Sequence, residues 1–148
     1  MTYTLSITIA GPGTTERAHW DFTIHKPAAP FGSLLHVRLL DSTNPNKHSF
    51  IFENREGHGL SEQDAWGLVP LAQLDGVQRA AVVSVLEKEK PPVGVGRCQD
   101  WVVDALVALE VEELVPDGMA RAWSARIGRV TVCIREEVGE GWLALNGR

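Results

Sequence analysis

The sequence predicts an α+β fold, an antiparallel sheet from the N-terminal half packed against helices from the C-terminal half. Three observations carry this. Four early segments place apolar residues at every second position: Tyr3-Leu5-Ile7-Ile9, Trp20-Phe22-Ile24, Leu35-Val37-Leu39 and Phe50-Phe52. That period belongs to strands with one buried face. Short connections rich in Gly, Pro, Asn and Asp separate them, which joins neighbouring strands in antiparallel pairs. Beyond Gln73 the period becomes helical.

The first strand spans residues 2–10 and ends at Gly11-Pro12-Gly13. The second, over residues 16–26, carries His19, Asp21, Thr23 and His25 on the face opposite Trp20, Phe22 and Ile24. Pro27 and Pro30 break its pairing. The third, residues 33–40, sets Leu34, His36, Arg38 and Leu40 against Leu35, Val37 and Leu39. A turn cluster at residues 41–46 leads to a fourth strand over 48–53, a polar loop over 56–64 and a fifth strand over 65–71. A helix over residues 73–88 shows Leu74, Val77, Ala81 and Val85, with Leu86, on one face and stops at Pro91-Pro92.

The stretch Gly96-Arg97-Cys98-Gln99-Asp100-Trp101 organises the remainder. A glycine-punctuated loop delivers a cysteine to the start of a helix that runs to about residue 110. Its Trp101, Val102, Val103, Ala105, Leu106, Val107, Ala108 and Leu109 predict a helix buried on most sides. A turn over 112–117 and a helix over 119–127 follow. Residues 129–138 fit either a strand or a helix, and residues 139–148 read as a loosely docked tail.

All 148 residues read as one domain with a core of its own. The net charge of −5 and the lack of a basic stripe argue against a nucleic-acid partner. Two cysteines are too few for a disulfide framework, and no apolar run approaches a membrane span or a signal peptide. A cytoplasmic protein with reduced thiols is the expectation. Metal-ligand spacing, a dinucleotide loop and a nucleophile elbow are all missing from the sequence, so no metal or cofactor is expected.

A thiol at a helix N-terminus lies in the positive end of the macrodipole, which favours thiolate, although Asp100 in the same turn opposes it. Cys98 needs a base, and His19 and His36 sit on strands that can bring them to one side of the sheet. His19 is then expected to exchange the thiol proton, His36 to orient His19, and the Cys98 N–H to help hold an oxyanion. Five tryptophans are many for this length. Trp20, together with Gln99 beside the cysteine, is a candidate for substrate binding, with core packing the alternative for Trp20 and Trp101. Cys133, between Val132 and Ile134, reads as packing; His25, His48 and His58 read as exposed groups.

The run Arg97-Cys98-Gln99-Asp100-Trp101-Val102 resembles the Asn-Cys-x-x-Phe helix start of circularly permuted papain-like enzymes, among them the lecithin:retinol acyltransferase family and the PPPDE-type peptidases. In those enzymes the histidine strand precedes the cysteine helix. This chain has the same order, with His36 at the place of the acyltransferases' second histidine, though Arg97 replaces the asparagine. The chain also resembles small uncharacterised fungal proteins with histidine-tryptophan and His-Val strands and a Cys-Gln-Asp-Trp-Val helix start. The resemblance implies a permuted papain-like fold and cysteine-dependent acyl transfer or hydrolysis of an ester, thioester or amide, with a place in fungal specialised metabolism. The alternatives are a binding module on the same fold and a biosynthetic cyclase without covalent catalysis. A small-molecule or acyl substrate is the expected partner, and oligomeric state is open.

Overall fold

A computed structural model describes residues 2–11, 18–41, 48–61, 65–91, 93–94 and 98–146. The expected turns after Gly11 and Asp41, and the loop from Val95 to Arg97, lie largely or wholly outside the described residues. Strands β1 (Tyr3–Ala10), β2 (His19–His25), β3 (Phe31–Asp41) and β4 (His48–Gly59) form an antiparallel meander. Strand β5 (Ala65–Leu74) returns to the other side of β1. Two short strands, β6 (Val93–Gly94) on β4 and β7 (Leu143–Ala144) on β5, complete the sheet order β6-β4-β3-β2-β1-β5-β7. The helices are α1 (Gly76–Lys88), α2 (Cys98–Val111), α3 (Met119–Ser124) and α4 (Thr131–Val138).

Alternation decides how the layers meet. Leu5, Ile7, Ile9, Trp20, Phe22, Ile24, Leu35 and Val37 are all buried in the core, together with residues of the helices. Trp20 meets Trp123 of α3 edge-on with centroids 5.1 Å apart, and Phe22 meets Trp101 of α2 at 5.7 Å. Val102, Ala105, Leu106 and Leu109 are fully buried, so α2 is the helix that seats the sheet. Its burial is one-sided: Val107 and Val111 are exposed.

The second face of the sheet is polar yet also largely buried. β4 ends beside Phe31, at the end of the sheet where His25 pairs with Thr4; β5 begins beside Ala10, at the opposite end. Leu60, just beyond β4, is buried on this face and lines a cavity of about 160 Å³ with Thr8, Thr23, Leu34 and Ala65. Buried polar groups pair with one another here, as burial requires. Thr8 and Thr23 share a hydrogen bond, as do Ser6 and His25.

The structure differs from the sequence reading in five places. β4 runs to Gly59, where a loop was expected from residue 56, because residues 54–59 continue pairing with Phe31–Leu35 across a bulge. α1 begins at Gly76, since Gln73 and Leu74 belong to β5; Asp75 caps it in a reciprocal capping box with Gln78. The buried face of α1 is Val82 and Leu86, and Val77 is 81 % exposed. The α3 helix stops at Ser124. Residues 131–138 are helical, and the expected loose tail docks as far as Asn146. Leu145 N–H donates to Trp66, and Asn146 donates to the carbonyls of Ser61 and Ala65. Among the described residues, no helix is long and apolar enough to cross a membrane.

Two outcomes follow from this packing. A Cβ on Gly67 would overlap the Trp142 indole. Gly67→Val should therefore displace Trp142 and β7, red-shifting tryptophan emission and opening the tail to protease while lowering stability by about 1–3 kcal/mol, the usual cost of overpacking. His25, expected at the surface, is buried with Nε2 on Ser6 and Nδ1 on the Lys26 carbonyl. Burial pushes its pKa below the ordinary 6.5. The unfolded chain then binds the proton more readily, so the stability from neutral His25 is complete above pH 6.5 and is lost progressively as pH falls from there through the lowered folded-state value. Urea midpoints at pH 7.5 and 5 should diverge more for the native chain than for His25→Gln.

Candidate functional site

The start of β2 and the start of α2 are held together by one buried side chain. Gln99, fully buried, donates its amide to the Ala18 carbonyl and accepts from Gly128 N–H at 2.9 Å. Ala18 N–H donates to Arg129 carbonyl at 2.9 Å. The residue before His19 is thus tied to the residue after Cys98. The Cys98 sulfur lies 3.2 Å from His19 Nδ1.

The other nitrogen of His19 faces Asp21. Residues two apart on a strand share a face, and His19 Nε2 stands 3.0 Å from Asp21 Oδ1. On the neighbouring strand, His36 Nδ1 stands 3.7 Å from the same oxygen. His36 Nε2 donates to Glu53 Oε1 at 2.9 Å, its cross-strand partner on β4. Glu53 also pairs with Arg55 at 3.0 Å and Arg38 at 3.5 Å. A continuous row therefore runs Cys98, His19, Asp21, His36, Glu53, from a helix start across three strands. His19 is half exposed, whereas Asp21 and His36 are largely enclosed.

The charges reinforce one another. Burial works against a charged His19, but contact with the Asp21 carboxylate and with the Cys98 sulfur outweighs it, and its pKa is pushed up to about 11. The hydrogen bond from His36 holds the Glu53 carboxyl below its usual range, helped by Arg55. His19 is then an imidazolium at neutral pH, able to pair with a negative sulfur and to donate a proton.

Of the residues expected to form the site, Cys98 and His19 meet directly. His36 does not take the orienting position on His19; Asp21 occupies it, and His36 stands behind Asp21. Trp20 is fully buried against Trp123 on the core face, so it packs the domain and does not line a ligand site. Gln99 spends both ends of its amide on backbone, which makes it a brace and not a substrate contact. His58 lines the cavity on the second face, along with His19, Asp21 and His36. The His48 side chain lies outside the described residues. Sequence reasoning assigned no role to Asp21 or Glu53. Asp21 had a signal, its place two residues from His19; Glu53 had none before the β3–β4 register was known.

The row also has ligand character. His19, Asp21 and His36 each offer an atom, and these atoms lie within 4.8 Å of one another. No sequence spacing indicated a metal cluster, because its members come from two strands.

The model of a family of unknown function, DUF6540, matches residues 5–116, a span that holds all five residues of the row. No curated protein and no solved structure matches the chain.

Replacing Gln99 by leucine keeps volume but strands the buried Ala18 carbonyl and Gly128 N–H. Each stranded group costs about 1–3 kcal/mol. Urea denaturation of Gln99→Leu should show a loss in that range or its double, with faster hydrogen exchange at Gly128.

Proposed function

We propose that this chain, which belongs to the DUF6540 family, catalyses cysteine-dependent acyl transfer or hydrolysis of an ester, thioester or amide. The observation that carries the reading is the contact of Cys98 Sγ with His19 Nδ1 at 3.2 Å, with Asp21 on the opposite ring nitrogen at 3.0 Å. A nucleophile, a base and a group that orients the base are the parts that such chemistry needs. The order of histidine strand before cysteine helix also agrees with the permuted papain-like arrangement that the sequence resembles.

In this mechanism the Cys98 sulfur adds to the substrate carbonyl carbon. In this reading the oxygen gathers negative charge near the start of α2 and accepts a hydrogen bond from the Cys98 N–H. His19 gives its Nδ1 proton to the departing alcohol, thiol or amine as the tetrahedral adduct collapses to a thioester. It then takes a proton from water or from an acceptor hydroxyl or amine, which attacks the thioester and frees the sulfur. Asp21 fixes the ring and balances its charge throughout. His36, held by Glu53, stands behind Asp21.

Alkylation and turnover test the proposal. Iodoacetamide should label Cys98 well ahead of Cys133, and His19→Ala should erase most of that preference. Incubation with p-nitrophenyl acetate should leave an acetyl group on Cys98, visible by mass spectrometry. Removing the proton-transfer group should slow turnover by about 100-fold or more. Equal labelling of the two cysteines, together with no acetyl adduct on Cys98, overturns the reading in favour of a binding module.

A further inference from the structure

We infer that His19, Asp21 and His36 form a binding site for a divalent first-row transition-metal ion of the zinc class, built across β2 and β3.

Three observations carry this. First, the three donor atoms converge: Asp21 Oδ1 lies 3.0 Å from His19 Nε2 and 3.7 Å from His36 Nδ1, and all lie within 4.8 Å of one another. Bonds of about 2.0–2.2 Å to nitrogen and oxygen place ligand atoms at separations of this order. Second, the hydrogen bonding leaves a gap that a cation fills. His36 Nε2 donates to Glu53 at 2.9 Å. His36 Nδ1 then faces Asp21 Oδ1 at 3.7 Å, beyond direct hydrogen-bond distance and within the reach of a shared cation. Asp21 Oδ1 is buried, and its close neighbours are the two rings, His19 Nε2 at 3.0 Å and His36 Nδ1 at 3.7 Å. Third, Glu53 supplies the outer carboxylate that commonly orients a metal-bound imidazole and fixes its tautomer.

The donor set selects the ion. Two imidazoles and one carboxylate suit zinc and its neighbours and disfavour calcium or magnesium, which prefer all-oxygen shells. Strands set the ligands more rigidly than loops would. The cavity beside them, lined also by Thr8 and Thr23, has room for water as a further ligand. The opposing cations, Arg38 and Arg55, are both engaged by Glu53.

On binding, the metal replaces the Nε2 proton of His19, which passes to solvent, while Nδ1 keeps its proton toward Cys98. Releasing the Nδ1 proton would then leave a metal-bound imidazolate, whereas the metal-free imidazolium releases it to a neutral ring. If Cys98 is a nucleophile, a clause that rests on the function proposed above, metal binding and acyl transfer exclude one another.

Titration of the reduced full-length protein with Co²⁺, followed by visible absorption and Zn²⁺ competition, tests the site. The native chain and Cys98→Ala should each bind one equivalent, without a sulfur-to-cobalt charge-transfer band. Asp21→Asn, His36→Ala and His36→Gln should lose the visible signal, with native circular dichroism showing that at least one of them is folded. Glu53→Gln should weaken binding by about 10- to 100-fold. Absence of saturable Co²⁺ binding in the native chain overturns the site. So does binding that Cys98→Ala abolishes, or that the folded His36 variants retain. Cys98→Ala removes any acyl transfer by design, so the metal site and the thiol chemistry fail separately.

Discussion

Everything in this domain depends on the two-residue period of β2. Its even positions, Trp20, Phe22 and Ile24, enter the core beneath α2 and α3, while His19, Asp21, Thr23 and His25 face the other way. Burial of the aromatic side fixes its depth, and pairing with β1 and β3 fixes its slide. The polar side then has no freedom left, so His19 and Asp21 are aligned by the hydrophobic effect acting on their neighbours.

A strand alone does not bring a thiol to an imidazole. The buried Gln99 amide does so by joining the start of α2 to the residue before β2 and to the loop at Gly128. One side chain thereby ties together three segments that are far apart in the sequence. Because its polar atoms are sealed from water, their hydrogen bonds have no solvent competitor. The row beyond it, from His19 to Glu53, alternates imidazole and carboxylate: Asp21 helps to hold His19 charged, and the contact with His36 lowers the Glu53 pKa.

Much of this was legible in the residues. Alternation identified β1, β2 and β3, and the apolar run after Cys98 identified the buried α2. The pairing of Cys98 with His19 was readable from a helix-start cysteine and a strand histidine. What stayed hidden depended on register and rotation. Asp21 was seen on the right face but given no role, because only the position of β3 places His36 behind it. Glu53 becomes a partner of His36 only through the β3–β4 pairing. The buried side of α1 was read only in part: Leu86 lies on it as expected, but packing selects Val82 and leaves Val77 exposed. Trp20 was a candidate for substrate or core and Gln99 for substrate; only the packed structure sets Trp20 against Trp123 and both ends of the Gln99 amide on backbone.

The two shortest strands have a consequence of a different kind. β6 and β7 each contribute two residues, and they lie at opposite margins of the sheet. An open margin offers unpaired N–H and C=O groups to any other extended chain, and proteins commonly blunt such margins with short strands or charge. Here β7 covers part of β5, while β6 covers His48 and Ser49 of β4, whose further stretch carries Glu53, Arg55 and Glu56. The C-terminal residues therefore act as a guard against edge-to-edge aggregation. Losing them would expose the apolar β5, with its Leu68, Val69 and Leu71, to strand addition by a second molecule, even though every group near Cys98 would remain in place.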